Sequence, residues 1–280
     1  MQAIYDFFRT LPVESLNFTF VVRALFAVLL LTPLFGLLGT MAVNHQMAFF
    51  SDALGHSALT GIGLGMLLGL SRDLDLVSML VFGIFWALMI VAIKRTGAAS
   101  ADTVISVFSS TSVAAGLVIL SSGGGFSKYS SLLIGDILTV AETDLIWLLL
   151  ALVLGIAVWA LIGNGVLLTG INASLARSRG FRIRLWEGAF VVLVAVAVML
   201  SIRWIGVLLI NALLIIPAAA GRNLARSVRQ HAVWSVCIAL FSGVAGLFLS
   251  CSTGLATGPT IVLIAAACYM VSLLVRSVRK

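Results

Sequence analysis

Apolar residues run along this chain in blocks of about twenty, separated by short polar segments. A helix crosses the hydrocarbon core of a bilayer, ~30 Å thick, in about 20 residues, so blocks of that length predict membrane spans. They fall at roughly 18–40, 46–70, 76–93, 103–121, 144–168, 186–204, 205–220, 232–250 and 259–276. The block at 205–220 is short and ends at Pro217. It is either a span of its own or half of a broken or steeply tilted pair with the block before it, so the count is nine or eight. The predicted fold class is all-α, a polytopic integral membrane helix bundle.

Composition supports that reading. Hydrophobic residues make up 61% of the chain and charged residues 10%, with a mean hydropathy of +1.20. A soluble domain holds roughly 45–50% and about 25%, and no soluble fold of this size hides so much apolar side chain. With Pro 4 and Cys 3, disorder, collagen-like repeats and a disulfide scaffold are excluded as well. Cys237, Cys251 and Cys268 lie in or beside apolar stretches without a CxxC pattern and read as small hydrophobes. The segment 1–17 carries Asp6, Arg9 and Glu14 before any long apolar run, which is not the order of a signal peptide, so it is taken as mature sequence.

The formal net charge of +7 is distributed by side rather than by nucleic-acid contact. Cytoplasmic loops retain Lys and Arg. Lys94 and Arg95, then Arg177, Arg179, Arg182 and Arg184, then Arg222, Arg226 and Arg229, then Arg276, Arg279 and Lys280 sit on alternate connections. These are therefore expected inside, with the C-terminus, and nine spans place the N-terminus outside. The opposite segments collect Asp6, Glu14, Asp73, Asp75, Asp136, Glu142 and Asp144, which either attract cations or simply keep loops soluble.

An ionisable residue at membrane depth is a functional candidate by default. Asp52 lies well inside a block, and His56 follows at i+4, so the two share one helical face. A carboxylate oxygen and an imidazole nitrogen so placed can meet one ion, and that donor pair suits Zn²⁺, Mn²⁺ or Fe²⁺ better than Ca²⁺ or Mg²⁺. Alternatively the two side chains only bond each other inside a bundle. Ser57 and Thr60 add hydroxyls nearby as accessory pathway positions, while His45 and Met47 lie nearer the membrane surface. Gly61, Gly65 and Gly69, spaced by four, predict a ridge for close helix packing. Neither they nor the tract Gly123, Gly124 and Gly125 has a strand or a GKS/GKT beside it, and no Walker A or B element occurs, so ATP hydrolysis is not expected here. HExxH, GxSxG and paired-Cys signatures are absent too, and the chain is not expected to be an enzyme.

Three further segments carry information. The outer stretch 129–138 is amphiphilic but too short to span, and predicts a re-entrant or interfacial helix. Asn211 precedes Pro217 in one block, where its amide serves a hinge, helix packing or the pathway. Residues 170–181 read as a short cytoplasmic helix begun by Asn172 and ended by Gly180, or as an ordinary basic loop.

Taken in order, 50–59 (FSDALGHSAL), 132–140 (LLIGDILTV), 205–221 (IGVLLINALLIIPAAAG) and 257–263 (TGPTIVL) make the chain resemble a known family from about Leu34 to Val275. It is similar to the permease subunits of bacterial ABC importers for zinc, manganese and iron(II), the ABC-3 family. The resemblance implies one type II importer-like transmembrane permease domain over 1–280, with a cytoplasmic coupling loop at 170–185, in the bacterial plasma (inner) membrane. It implies a homodimer enclosing one path, two cytoplasmic ATPase subunits that use ATP, and an external metal-binding protein. No resident cofactor is implied, only the transported Zn, Mn or Fe. Asp52 and His56 match the family's DxxxH pair on the second span. Asn172, Ser174, Leu175, Ala176 and Gly180 match the helix that couples to the ATPase, although many members carry an acid where Ser174 stands. Some zinc-type members have a histidine in span four, where this chain reads Phe108, Ser109, Ser110 and Thr111. Asp plus His ligation leaves the metal open. Two rivals remain: a secondary carrier or channel relaying metal ions or protons through Asp52 and His56, and an ABC permease for a metal chelate.

Overall fold

Nine α-helices and two short 3-10 turns, with no strand, account for the ordered elements of residues 14–71, 74–122, 135–171 and 173–278, the part that the computed structural model describes. The 123–125 tract, residues 129–134 of the amphiphilic stretch, Asn172 and most of 1–17 lie outside it. The helices are α1 (Thr19–Asn44), α2 (Phe50–Leu67), α3 (Asp75–Lys94), α4 (Ala101–Ser122), α5 (Glu142–Ile171), α6 (Ala173–Ser178), α7 (Ile183–Leu224), α8 (Val228–Thr253) and α9 (Thr257–Val278). All except α2 and α6, seven in number among the described residues, are long and apolar enough to cross a membrane. The chain is a multi-pass membrane protein.

Two elements depart from the simplest expectation. Helix α2 has the length of a span at 18 residues, yet Asp52, His56, Ser51, Ser57, Thr60 and four glycines dilute its apolar character. It is tolerated because protein, not lipid, surrounds it, with 13 of its residues buried. Helix α7 merges the blocks at 186–204 and 205–220 into one run of 42 residues, about 63 Å at helical rise. Its continuity is interrupted at Gly206, whose φ of 72° and ψ of 167° are not helical. The second half passes through Pro217 and ends at Leu224 rather than at Pro217, because a proline inside a span removes one hydrogen bond without forcing termination. Counted as one crossing α7 gives eight with α2, and counted as two it gives nine.

The chain forms two compact units. One holds residues 14–40, 135–153 and 204–278. Here α8 lies along α1, with the Ser235 hydroxyl donating to the Gly36 carbonyl at 2.7 Å. The end of α7 is tied to α9 by Asn223, which donates to Ser272 at 3.0 Å and accepts from Arg276 at 2.9 Å. Gly135, itself at φ 67°, presses its backbone against Ile205 and Gly206, so that a Cβ there would collide with main-chain atoms. The following turn, Ile137–Thr139, is capped by Asp136, whose carboxylate accepts from the Leu138 amide at 3.0 Å.

The other unit holds residues 41–122 and 154–203 as far as they are described. Its centre is α2, packed against α3 and α4. Gly61 and Gly65 let α3 approach at Ser78 and Met79, and Gly116 of α4 lies against the Thr60 backbone. Gly69 takes no part in that ridge. It follows the helix at φ 70° with open space around it, and Gly69 and Leu70 donate back to Met66 and Gly65 at 3.1 and 3.0 Å, a left-handed helix terminator. The periodic spacing ran past the real end of the helix, which is why packing was expected of it.

Candidate metal-handling site on helix α2

Helix α2 places Asp52 in its first turn and His56 one turn later. Asp52 Oδ1 stands 3.5 Å from His56 Nε2, too far for a strong hydrogen bond. Two ligands on one tetrahedral ion at about 2.1 Å are themselves about 3.4 Å apart, so this spacing leaves room for a shared metal. The carboxylate and imidazole retain 38% and 26% of their exposure, enough for an ion to reach them. His56 Nδ1 is buried with no hydrogen-bond partner among the described residues.

Around the pair, Ser109 of α4 donates to Asp52 Oδ2 at 3.1 Å. In the sequence this position marked only a missing histidine. The structure makes it a neighbour of the carboxylate. Ser57 and Thr60 are buried, and their protons are committed to the carbonyls of Leu54 and Ser112, leaving oxygen lone pairs as their remaining capacity. Asn211 belongs to the other compact unit. Among the described residues no group of three or more His, Cys, Asp and Glu side chains is positioned to hold a metal. Asp52 and His56 therefore offer two donors side by side.

The remaining two histidines have structural surroundings. His231 in α8 is buried and donates through Nε2 to the Ala218 carbonyl at 2.8 Å. His45, just after α1, is buried, stacks on Phe190, and donates to the Val166 carbonyl at 3.0 Å. Lys94 Nζ reaches the His45 carbonyl at 3.2 Å and Glu187 at 3.3 Å, while Arg95 holds the other Glu187 oxygen at 3.0 Å. Glu187, near the start of α7, is thus buried under two cations.

The short helix expected after Asn172 is present as α6. It ends at Gly180 with φ 78°, where Gly180 and Phe181 donate back to Arg177 and Ala176 at 2.9 and 3.0 Å. Ala176 is fully buried against the protein, while Ser174 and Leu175 face outward.

Seven long apolar helices among the described residues, with the polar helix α2 packed against α3 and α4, define a multi-pass membrane protein. The chain belongs to the ABC 3 transport family, whose model matches residues 17–276. It is 29% identical over 244 residues to the high-affinity zinc uptake system membrane protein ZnuB of Haemophilus influenzae, covering 85% of this chain and 91% of that one. It is 27% identical over 257 residues to the manganese import system permease protein ScaB of Streptococcus parasanguinis, covering 91% and 90%. The solved structure of PsaBC from Streptococcus pneumoniae in complex with Fab superposes with a TM-score of 0.79 at 26% identity, over 97% of this chain and 95% of that one.

Proposed function

We propose that this chain is the membrane-spanning permease subunit of an ATP-driven importer of divalent transition metal ions (zinc, manganese or iron(II)). It works as a dimer with a separate cytoplasmic ATPase and an external metal-binding protein, and its 280 residues act as one permease domain. The observation that carries this reading is the Asp52–His56 pair, 3.5 Å apart on a helix that only protein can accommodate. The names of the zinc and manganese relatives support the substrate class.

In this reading metal released outside meets Asp52 and His56, displaces the water on them, and is held by two ligands only. Ser109 keeps the carboxylate oriented. Weak, partial ligation lets the ion pass inward when the partner ATPase binds ATP and the permease dimer rocks. Helix α6 offers Leu175 to that ATPase, with Ala176 anchoring the helix from behind. The arginines on both flanks of α7 lie on the cytoplasmic side together only if this stretch of 42 residues crosses twice. That gives nine crossings, an outer N-terminus and an inner C-terminus.

Cellular metal uptake by the complete complex tests the site. Asp52→Ala and His56→Ala are expected to abolish accumulation of zinc, manganese and iron while the complex still assembles. Normal uptake by both variants would overturn the assignment, and loss on Asp52→Ala alone would favour a chelate as cargo. A secondary carrier would neither retain a Walker-A ATPase on purification nor require ATP.

A further inference from the structure

The connection between α5 and α7 carries a groove beside α6. A cavity of roughly 480 Å³ is walled by Ile162 of α5, by Leu185, Trp186 and Ala189 of α7, and by Phe181. Arg179 and Arg182 line it as well. The Trp186 indole lies directly on Gly165, where a Cβ would come within 2.5 Å of the ring, and Phe181 packs beside it at 5.7 Å. The aromatic wall is therefore fixed. Leu185 is 62% exposed although it sits in the first turn of a span.

The groove is strongly cationic. A neighbouring cavity of about 790 Å³ shares Arg182 and Leu185 and adds Arg95, Arg177 and Arg184, with Glu187 as its one acid. Glu187 is already neutralised by Lys94 and Arg95. Among the described residues, no carboxylate pairs with Arg179 or Arg182, and both are exposed. α5 and α7 are candidate membrane spans, so the connection between them lies at the end of both, beside their apolar residues.

We infer that this groove binds an anionic phospholipid, its phosphate between Arg179 and Arg182 and one acyl chain along Ile162, Leu185 and Ala189. A soluble anion has no use for the apolar wall. A zwitterionic lipid leaves the excess cationic charge unanswered. A soluble acidic partner cannot follow the wall into the span. The site is independent of the metal pair and fails or stands without it.

The test is native mass spectrometry of the full-length chain, purified with its co-expressed importer subunits and released from nanodiscs of equimolar phosphatidylglycerol and phosphatidylcholine. Wild type is expected to retain phosphatidylglycerol in preference. Arg179→Gln with Arg182→Gln should lower that preference by roughly tenfold or more, and the Lys pair should keep most of it. Leu185→Asp, which leaves both arginines in place, should also lower it. Melting curves in phosphatidylcholine alone show whether each variant is folded, and a misfolded Gln pair leaves the Lys pair and Leu185→Asp to decide. Equal retention of the two lipids by wild type overturns the proposal. So does unchanged preference in the folded variants, or displacement of the lipid by millimolar glycerol 3-phosphate, which would assign a soluble anion.

Discussion

Ser109 and Glu187 show how single side chains hold their charged neighbours. The Ser109 hydroxyl fixes one carboxylate oxygen of Asp52 and leaves the other toward His56. Outer-shell contacts of this kind tune metal binding by about ten- to a hundredfold. Ser109→Ala is accordingly expected to slow initial uptake about tenfold at low metal and far less at saturating metal, read as a rise in KM. Glu187 is buried between Lys94 and Arg95, so Glu187→Ala strands two cations in place. A loss of about 3 kcal/mol is expected from breaking such a pair, seen as a lower melting temperature in detergent. His45 adds a pH dependence. Burial holds its imidazole below the usual histidine value of 6.5, the Val166 carbonyl and Glu187 pull it partly back, and Lys94 presses it down. A depressed value means that folding favours the neutral ring, so this contribution is whole above about pH 6.5 and is lost as pH falls through the folded value. His45→Gln keeps a donor for Val166 without titrating. Its melting temperature should therefore fall less than that of wild type between pH 6.5 and 5.

At the scale of elements, the break in α7 is the feature most exposed to test. Gly206 adopts φ 72° and ψ 167°, a region essentially restricted to glycine, and Gly135 is pressed against the same point. Gly206→Ala is expected to cost about 1–3 kcal/mol in strain, and Gly135→Ala should also destabilise because its Cβ meets backbone that cannot yield. Both are measurable as melting-temperature shifts. The hydrophobic pattern of the sequence fell on the long helices among the described residues, though it divided α7 into two blocks, because lipid demands an uninterrupted apolar run wherever backbone is exposed to it. It located Asp52 and His56 for the same reason, as polar residues where they are costly. The pattern did not show that Gly69 ends α2, since spacing by four continues in sequence after the helix has stopped. Nor could it pair Ser109 with Asp52, or Glu187 with Lys94 and Arg95, because serine in a span and an acid at a helix end are ordinary when read singly. Such contacts are fixed by how helices pack, which periodicity does not encode.

For the molecule as a whole, charge and length together make a statement about topology. Basic residues flank α7 on both sides, at Arg177 to Arg184 and at Arg222 to Arg229, and its 42 residues are enough for two crossings of about 20. Single cysteines placed at Ser178 and at Ser227 in a background lacking Cys237, Cys251 and Cys268 should both resist a membrane-impermeant thiol reagent in intact cells. Both should react once the membrane is opened. Labelling of one but not the other in intact cells would show a single crossing and an odd reversal of the remaining helices.

The polar character of α2 also bears on how the protein is made. A carboxylate in the first turn of an isolated helix opposes insertion, and the glycines and hydroxyls of α2 offer little apolar surface in return. A nascent chain ending after Leu67 would therefore tend to leave this segment at the translocon or on the membrane surface. Only when α3 and α4 follow, bringing Met79, Ser109 and Gly116 to sheathe it, does the bilayer become a tolerable address. The polar residues of this helix thus make it dependent on its later neighbours for entry, so that biogenesis of this region is a concerted event of three helices rather than a sequence of single ones.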